Sequence, residues 1–187
     1  MTISNSSVPT EIISAWDKAA TKCQNPLGLD EKVLLDSLED CPPREYEGGQ
    51  HLGRFLIPRD FVVYNEQDQP RQKGCDPNHV TNLYNNYLVK DYMTTEEPPI
   101  ASFNDGVLNP TVLKPHSGFN RYKALDRLGQ EIYIYDVYEF ESRYWEVIAA
   151  SASNHHSNPQ LSQTNEDYLK VVTNAVSAQI IPKDEDS

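Results

Sequence analysis

A single glycine between a strand-like segment and an amphipathic helix constrains the fold of this chain more than any other feature. Residues 114–125 have the sequence KPHSGFNRYKAL, which predicts the end of a strand, a turn at Gly118 and a helix that continues to Gly129. A glycine before a helix lets the first N–H groups face an anion, and the helix dipole favours negative charge there. Arg121, in the first turn, adds a forked cationic donor that suits phosphate. The segment predicts a phosphate-binding turn, although a turn of this kind also occurs where it only starts a helix.

The segments around this turn predict an α+β domain with a small mixed sheet. Helices are expected at about 76–93 and 119–128, and strands at 61–64, 100–103, 111–114 and 132–137. Isoleucine and tyrosine alternate along the last of these strands, which indicates a strand that is covered on both faces. Residues 104–110 predict a hairpin loop, and two further helices are expected after residue 141, the second of them starting at Thr164.

The chain divides into three predicted parts: a helical N-terminal extension (1–50), an α/β core (51–140), and C-terminal helices with an acidic tail (141–187). The extension contains two amphipathic segments, 10–20 and 30–38, and Asp30 is a suitable N-cap for the second. Two interpretations of the extension stay open. Its helices either pack onto the core, or Trp16 and its neighbours form a helix that binds a protein partner.

Charge is distributed unevenly along the chain. Its 187 residues include 28 acidic and 16 basic side chains, for a formal net charge of −12. Such an excess disfavours broad non-specific binding of nucleic acids, because that binding depends on lysine and arginine to neutralise phosphates. The central segment is nevertheless rich in basic residues, namely Arg54, Arg59, Arg71, Lys73, Lys114, Arg121, Lys123 and Arg127. The asymmetry predicts an anion-facing middle in an otherwise acidic chain.

The cysteines and the apolar segments limit the classes of protein to which this chain can belong. Cys23, Cys41 and Cys75 are widely spaced, so neither structural zinc nor a disulfide framework is expected. The N-terminal residues lack the basic and apolar regions of a secretory signal. No segment approaches the roughly 18 apolar residues of a membrane span. We therefore expect a soluble cytoplasmic protein with no membrane partner.

The order of these segments resembles the ParB/sulfiredoxin-like superfamily, whose members are also described as ParB-like nuclease domains. The resemblance covers roughly residues 54–176 and implies a ParB/sulfiredoxin-like fold. It is carried by Gln69 to Arg71, by Pro99 and Ile100, by the turn and helix from Gly118 to Ala124, by the strand at 132–137, and by Asn154.

Two departures from the family patterns limit the functions that the resemblance implies. Phe119 stands where sulfiredoxins carry their catalytic cysteine, which excludes sulfiredoxin activity. ParB-type partition proteins usually have Gly-Glu-Arg-Arg at the turn, and here Phe119 and Asn120 replace the glutamate and the first arginine. A triphosphate site would therefore have one guanidinium fewer than the family motif supplies.

The resemblance implies a phosphate-binding domain that acts on DNA, by phosphodiester hydrolysis or by hydrolysis of a nucleotide. The expected partners are DNA or a nucleoside triphosphate, with Mg²⁺ accompanying a nucleotide and no metal held by the protein alone. The residues expected in catalysis are His116, Arg121 and His155. Those expected to bind the ligand are Gln69, Arg71, Gly118, Phe119, Asn120, Arg121 and Asn154. His155 and His156 can alternatively be residues that only cap a helix or form hydrogen bonds.

Three interpretations of function remain open. A DNA-directed enzyme is favoured by a small margin over a non-catalytic nucleotide-binding switch or protein-interaction module, and a phosphotransferase is the weakest. All three need a phosphate site. We expect that site where the segments 69–71, 116–121 and 154–156 converge, and if Asn154 and Arg121 face opposite sides of the molecule, the single-site interpretation is wrong.

Overall fold

The structure is a computed structural model that describes residues 8–64, 74–89, 96–103 and 112–155, together with 169, 172–173 and 176–177. Within these residues the elements are α1 (Thr10–Ala20), α2 (Glu31–Asp40), β1 (Gly49–Pro58), α3 (Pro77–Val89), β2 (Ile100–Phe103), β3 (Leu113–Pro115), α4 (Phe119–Leu128), β4 (Ile132–Phe140) and α5 (Arg143–His155). A short 3₁₀ helix, Arg59–Phe61, follows β1.

The strands of the described residues form one mixed sheet in the order β1-β4-β2-β3. β4 pairs antiparallel with β1 and parallel with β2, whereas β2 and β3 are antiparallel. The α+β architecture with a mixed sheet is therefore confirmed. β4 is covered on both faces, as its alternating pattern predicts, since Tyr133, Ile134 and Tyr135 are each only 2% exposed.

The N-terminal helices pack against opposite faces of this sheet. Trp16 of α1 is 1% exposed and belongs to the same core cluster as Tyr133 and Tyr135. Its ring lies edge-on to Phe55 at 5.4 Å and stacks on Phe103 at 6.2 Å. On the other face, residues of α2 pack in a cluster with Ile134. Trp16 is thus a core residue, and its side chain offers no surface to a protein partner.

Arg54 ties α2 to the sheet. Its guanidinium donates two hydrogen bonds to the carboxylate of Asp136 on β4, each of 2.8 Å, and two more to the carbonyl oxygens of Ser37 and Cys41 at the end of α2. Cationic donors near the last carbonyls of a helix are favourable because of the helix dipole. His51 adds a contact of 3.1 Å to the same carboxylate.

The first strand is a correction to the sequence prediction. The first strand was expected at 61–64, but β1 spans Gly49–Pro58. Residues 59–61 form a 3₁₀ helix instead, and Val62 makes only an isolated bridge to Leu113. The polar residues of β1 make this strand hard to recognise in the sequence. Arg54 nevertheless faces inward, where it pairs with Asp136.

Several predicted elements agree with the structure, and others lie outside it. The strand at 100–103 and the helix at 119–128 have the predicted bounds, and the last strand extends beyond residue 137 to Phe140. The loop at 104–110, the end of the helix expected at 76–93 and the start of the helix expected at Thr164 lie outside the described residues. None of the helices in the described ranges is long and apolar enough to cross a membrane.

Candidate phosphate-binding turn

Gly118 is the N-cap of α4 and has a left-handed backbone, with φ 79° and ψ 17°. A Cβ at this position would lie 2.5 Å from Cβ of Pro99, a distance that side chains do not tolerate. Glycine is therefore required twice, once for the backbone angle and once for the close approach of residues 96–99. No side chain caps α4, so the N–H groups of its first turn have no side-chain acceptor at the N-cap.

The two residues before the turn fasten it to β2. The backbone N–H of His116 donates to the carbonyl of Ile100 at 2.8 Å. The hydroxyl of Ser117 in turn accepts from the N–H of Ile100 at 2.9 Å. These bonds fix the turn relative to the sheet before any ligand binds, which is the pre-organisation that an anion site needs.

Arg121 lies in the first turn of α4 and contacts the segment that precedes β2. Its NH1 donates to the carbonyl of Glu97 at 2.8 Å, and its NH2 lies 3.2 Å from Oε2 of Glu96. The Arg121 side chain is 14% exposed and that of Glu96 is 28% exposed. The carboxylate of Asp136, a residue of β4, is held by Arg54.

Two residues of the expected ligand set use their side chains inside the fold. The side-chain oxygen of Asn120 accepts from the N–H of Asp76 at 3.0 Å, which ties the start of α3 to α4. Phe119 is 5% exposed, and its ring lies edge-on to Tyr64 at 4.5 Å. Phe119 can therefore contribute to an anion site only through its backbone N–H, whereas the bond at Asn120 uses its side-chain oxygen and not its amide NH2 donors.

His116 is buried behind the turn. It is 4% exposed, and its Nε2 lies 2.7 Å from the hydroxyl of Ser102, which is itself 3.3 Å from Oε1 of Glu146 on α5. Burial, with the nearby charges of Lys114 and Arg143, lowers the pKa of His116 to about 3. A base of this strength accepts a proton poorly near neutral pH. The position expected for a general base is thus enclosed and weakly basic.

The space between the turn and the sheet is too small for a ligand. A cavity of about 10 Å³ lies beneath Gly118 and Arg121, against Tyr133 and Tyr135. A volume of this size is at the lower limit for a single water molecule. A phosphate group does not fit in this space.

Among the described residues, three arginines of the basic middle are engaged within the fold. Arg54 is buried against Asp136, and Arg59 pairs with Asp126 at 2.6 Å. The guanidinium of Arg127 lies 4.3 Å above the ring of Tyr84. These three cations are thus occupied within the fold.

The structure does not test the predicted convergence of the three segments, because parts of two of them lie outside the described residues. Gln69, Arg71 and His156 lie outside the described residues. Asn154 and His155 are in the last turn of α5, and their side chains also lie outside what the structure describes. Within the described ranges, no three His, Cys, Asp or Glu side chains are grouped so as to hold a metal ion. The convergence and the role of Mg²⁺ stay predictions.

The residues that sequence reasoning missed are acidic. Glu96 and Glu97 provide the contacts of Arg121, and the carboxylate of Glu97 also pairs with Nε of Arg44 at 3.0 Å. The only signal in the sequence is their place directly before Pro98 and Pro99, which keep the chain extended as it enters β2.

Known proteins resemble this chain in fold and not in sequence. No protein-family model matches the chain, and no curated protein sequence matches it. Among solved structures, the chain is similar to the C-terminally truncated chromosome-partitioning protein ParB from Caulobacter crescentus, complexed with CTP-gamma-S. The two share 14% identity over 70% of this chain and 81% of that chain, with a TM-score of 0.47.

Proposed function

We propose that this chain binds a nucleoside triphosphate through its phosphates at the Gly118 turn, with Arg121 as the charged contact. The observation that carries the proposal is the pairing of Arg121 with a partly exposed carboxylate beside a helix that has no side-chain cap. The guanidinium of Arg121 thus already holds one anionic group, the carboxylate of Glu96. The N–H groups of the helix start add donors and a favourable dipole.

A compact phosphate ligand fits the charges better than a DNA duplex does. Duplex binding needs several cations along the phosphate backbone. Arg54, Arg59 and Arg127 are engaged within the fold, and the whole chain carries a net charge of −12. A nucleotide needs only one well-placed cluster of donors, as at the turn.

A binding role is also better supported than a hydrolytic one. Hydrolysis needs a group that activates water close to the phosphate. His116 is enclosed behind the turn and bonded to Ser102, so the described residues of the turn supply a binding group without a matching base. We therefore propose a nucleotide-binding module, and a DNA-linked enzyme is the alternative that the experiment below separates from it.

A thermal-shift screen tests the proposal. The four ribonucleoside triphosphates and a short DNA duplex are each added with and without Mg²⁺. A ligand at about 100 times its dissociation constant should stabilise the fold by about 2.7 kcal/mol. Arg127→Gln is the matched control for Arg121→Gln, because both remove one arginine from α4.

The proposal expects stabilisation by at least one nucleotide, retained in Arg127→Gln and lost in Arg121→Gln. Stabilisation by DNA alone contradicts the nucleotide function and favours the DNA-linked one. Release of inorganic phosphate from a bound nucleotide would establish hydrolysis and contradict a purely binding role.

A further inference from the structure

A short acidic segment crosses the outer side of the turn. Glu96 places Oε2 of its carboxylate 3.2 Å from NH2 of Arg121, and the carbonyl of Glu97 accepts from NH1 at 2.8 Å. The guanidinium fork thus holds two oxygen atoms from adjacent residues. Two oxygens on one fork resemble the way in which arginine holds a phosphate group.

The segment is fixed at its C-terminal end. Pro99 packs against Gly118, and its carbonyl accepts from the N–H of Asp136 at 3.0 Å. Ile100 then enters β2 and donates to the hydroxyl of Ser117. The side chain of Glu96, by contrast, is 28% exposed, and its Oε2 lies 3.2 Å from NH2 of Arg121. Partly exposed ion pairs of this kind are weak and exchange with solvent.

We infer that Glu96 is an internal competitor for the phosphate site, so that a ligand binds Arg121 by displacing this carboxylate. The inference rests on the proposed function and adds how the site selects its ligand. A carboxylate carries one negative charge, and an incoming anion must interact more strongly with Arg121 than Glu96 does. The site therefore selects anions with several charges and several acceptor oxygens, such as a polyphosphate, over simple carboxylates.

Glu97 offers a matched control for Glu96. Its side chain carries the same charge one residue away, but it pairs with Nε of Arg44 at 3.0 Å. Its contact with Arg121 is made by the backbone carbonyl, which a side-chain substitution leaves in place. Glu96→Gln and Glu97→Gln thus change the charge of the segment equally, and only the first removes the carboxylate from Arg121.

The test measures the affinity of inorganic triphosphate for the wild-type chain and for both variants by isothermal titration calorimetry. Glu96→Gln should bind about two- to fivefold more tightly than wild type, the factor that corresponds to a partly exposed ion pair. Glu97→Gln should stay close to wild type. Acetate should compete poorly with triphosphate for the wild-type chain. Circular dichroism of each variant confirms folding.

The outcomes separate this inference from the proposed function. If triphosphate binds the wild-type chain and Arg121→Gln abolishes binding, but Glu96→Gln has no effect, the inference is wrong and the proposed function stands. Equal gains in Glu96→Gln and Glu97→Gln also overturn the inference, because they show a general charge effect. Failure of triphosphate to bind any of these proteins overturns the proposed function and the inference together.

Discussion

Arg54 and Arg121 each hold a carboxylate, but the surroundings give the two pairs opposite roles. The side chains of Arg54 and Asp136 are 0% and 3% exposed, and two hydrogen bonds of 2.8 Å join them. The side chains of Arg121 and Glu96 are 14% and 28% exposed, and NH2 of Arg121 lies 3.2 Å from Oε2 of Glu96. The Arg54 fork has further bonds to α2, which complete its hydrogen bonding inside the fold.

Burial decides which of the two pairs can exchange its partner. Separating Arg54 from Asp136 would leave a charge without water or a counter-ion, which costs several kcal/mol. Arg121 and Glu96 are both in partial contact with solvent, so separating them should cost less, about 1 kcal/mol. The first pair therefore holds α2 on the sheet, and the second is the pair that we propose a ligand separates.

The largest effect is expected for the buried pair. Arg54→Met should lower the free energy of unfolding by about 3–5 kcal/mol, because Asp136 is left as an uncompensated buried charge. Urea denaturation measures this loss. Combining Arg54→Met with Asp136→Leu removes both charges and should recover part of it. A loss below about 1 kcal/mol in the single variant would show that the two pairs do not differ as proposed.

A smaller loss of stability is expected at the turn. Gly118→Ala combines a left-handed backbone with a clash against Pro99, and should cost about 2–4 kcal/mol. Gly28→Ala is its control, because Gly28 has φ 64° and no atom within 4 Å of the added Cβ. That variant should cost about 1–2 kcal/mol, from the backbone alone. Equal losses in urea would mean that Pro99 does not press on the turn.

The buried histidine behind the turn should make stability depend on pH. The folded chain holds the pKa of His116 at about 3, below its usual 6.5, so the unfolded chain binds a proton more readily between these values. Stability from this group is therefore complete above pH 6.5 and is lost as pH falls toward 3. One such group changes the free energy of unfolding by up to about 1.4 kcal/mol per pH unit, which amounts to about 2 kcal/mol between pH 6.5 and 5.

Urea denaturation across this pH range checks the effect. His116→Gln should reduce the pH dependence by that amount, even though acidic residues contribute their own dependence to both proteins. An identical dependence in wild type and variant would mean that His116 is not enclosed in the folded chain.

Local signals in the sequence predicted the elements around the turn. Gly118 and Gly129 bracket α4, and the structure has left-handed glycines at both positions. The apolar strands β2 and β4 were found by their composition and alternation. The sequence did not predict β1, because this strand depends on a contact between residues that are far apart in the chain. Arg54 is buried only because Asp136, 82 positions later, faces it. Pairing over such distances leaves no mark in the local pattern.

The candidate site was predicted in outline and not in its contacts. Gly118 and Arg121 lie together at the start of α4, as the sequence indicated. The sequence did not predict the ion pair between Glu96 and Arg121, because the fold brings these two residues together and no sequence spacing indicates the contact. Nor did it predict that His116 would point into the protein, where Ser102 and Glu146 meet it.

The most direct test of the account compares Arg121→Gln with wild type in two measurements on the same samples. Because charge-assisted hydrogen bonds are worth about 1.5–3 kcal/mol, affinity for inorganic triphosphate should fall at least about tenfold. The free energy of unfolding should change by about 1 kcal/mol or less, as for a partly exposed ion pair. Unchanged affinity together with a loss of about 3 kcal/mol or more in stability would show that Arg121, like Arg54, only holds the fold together.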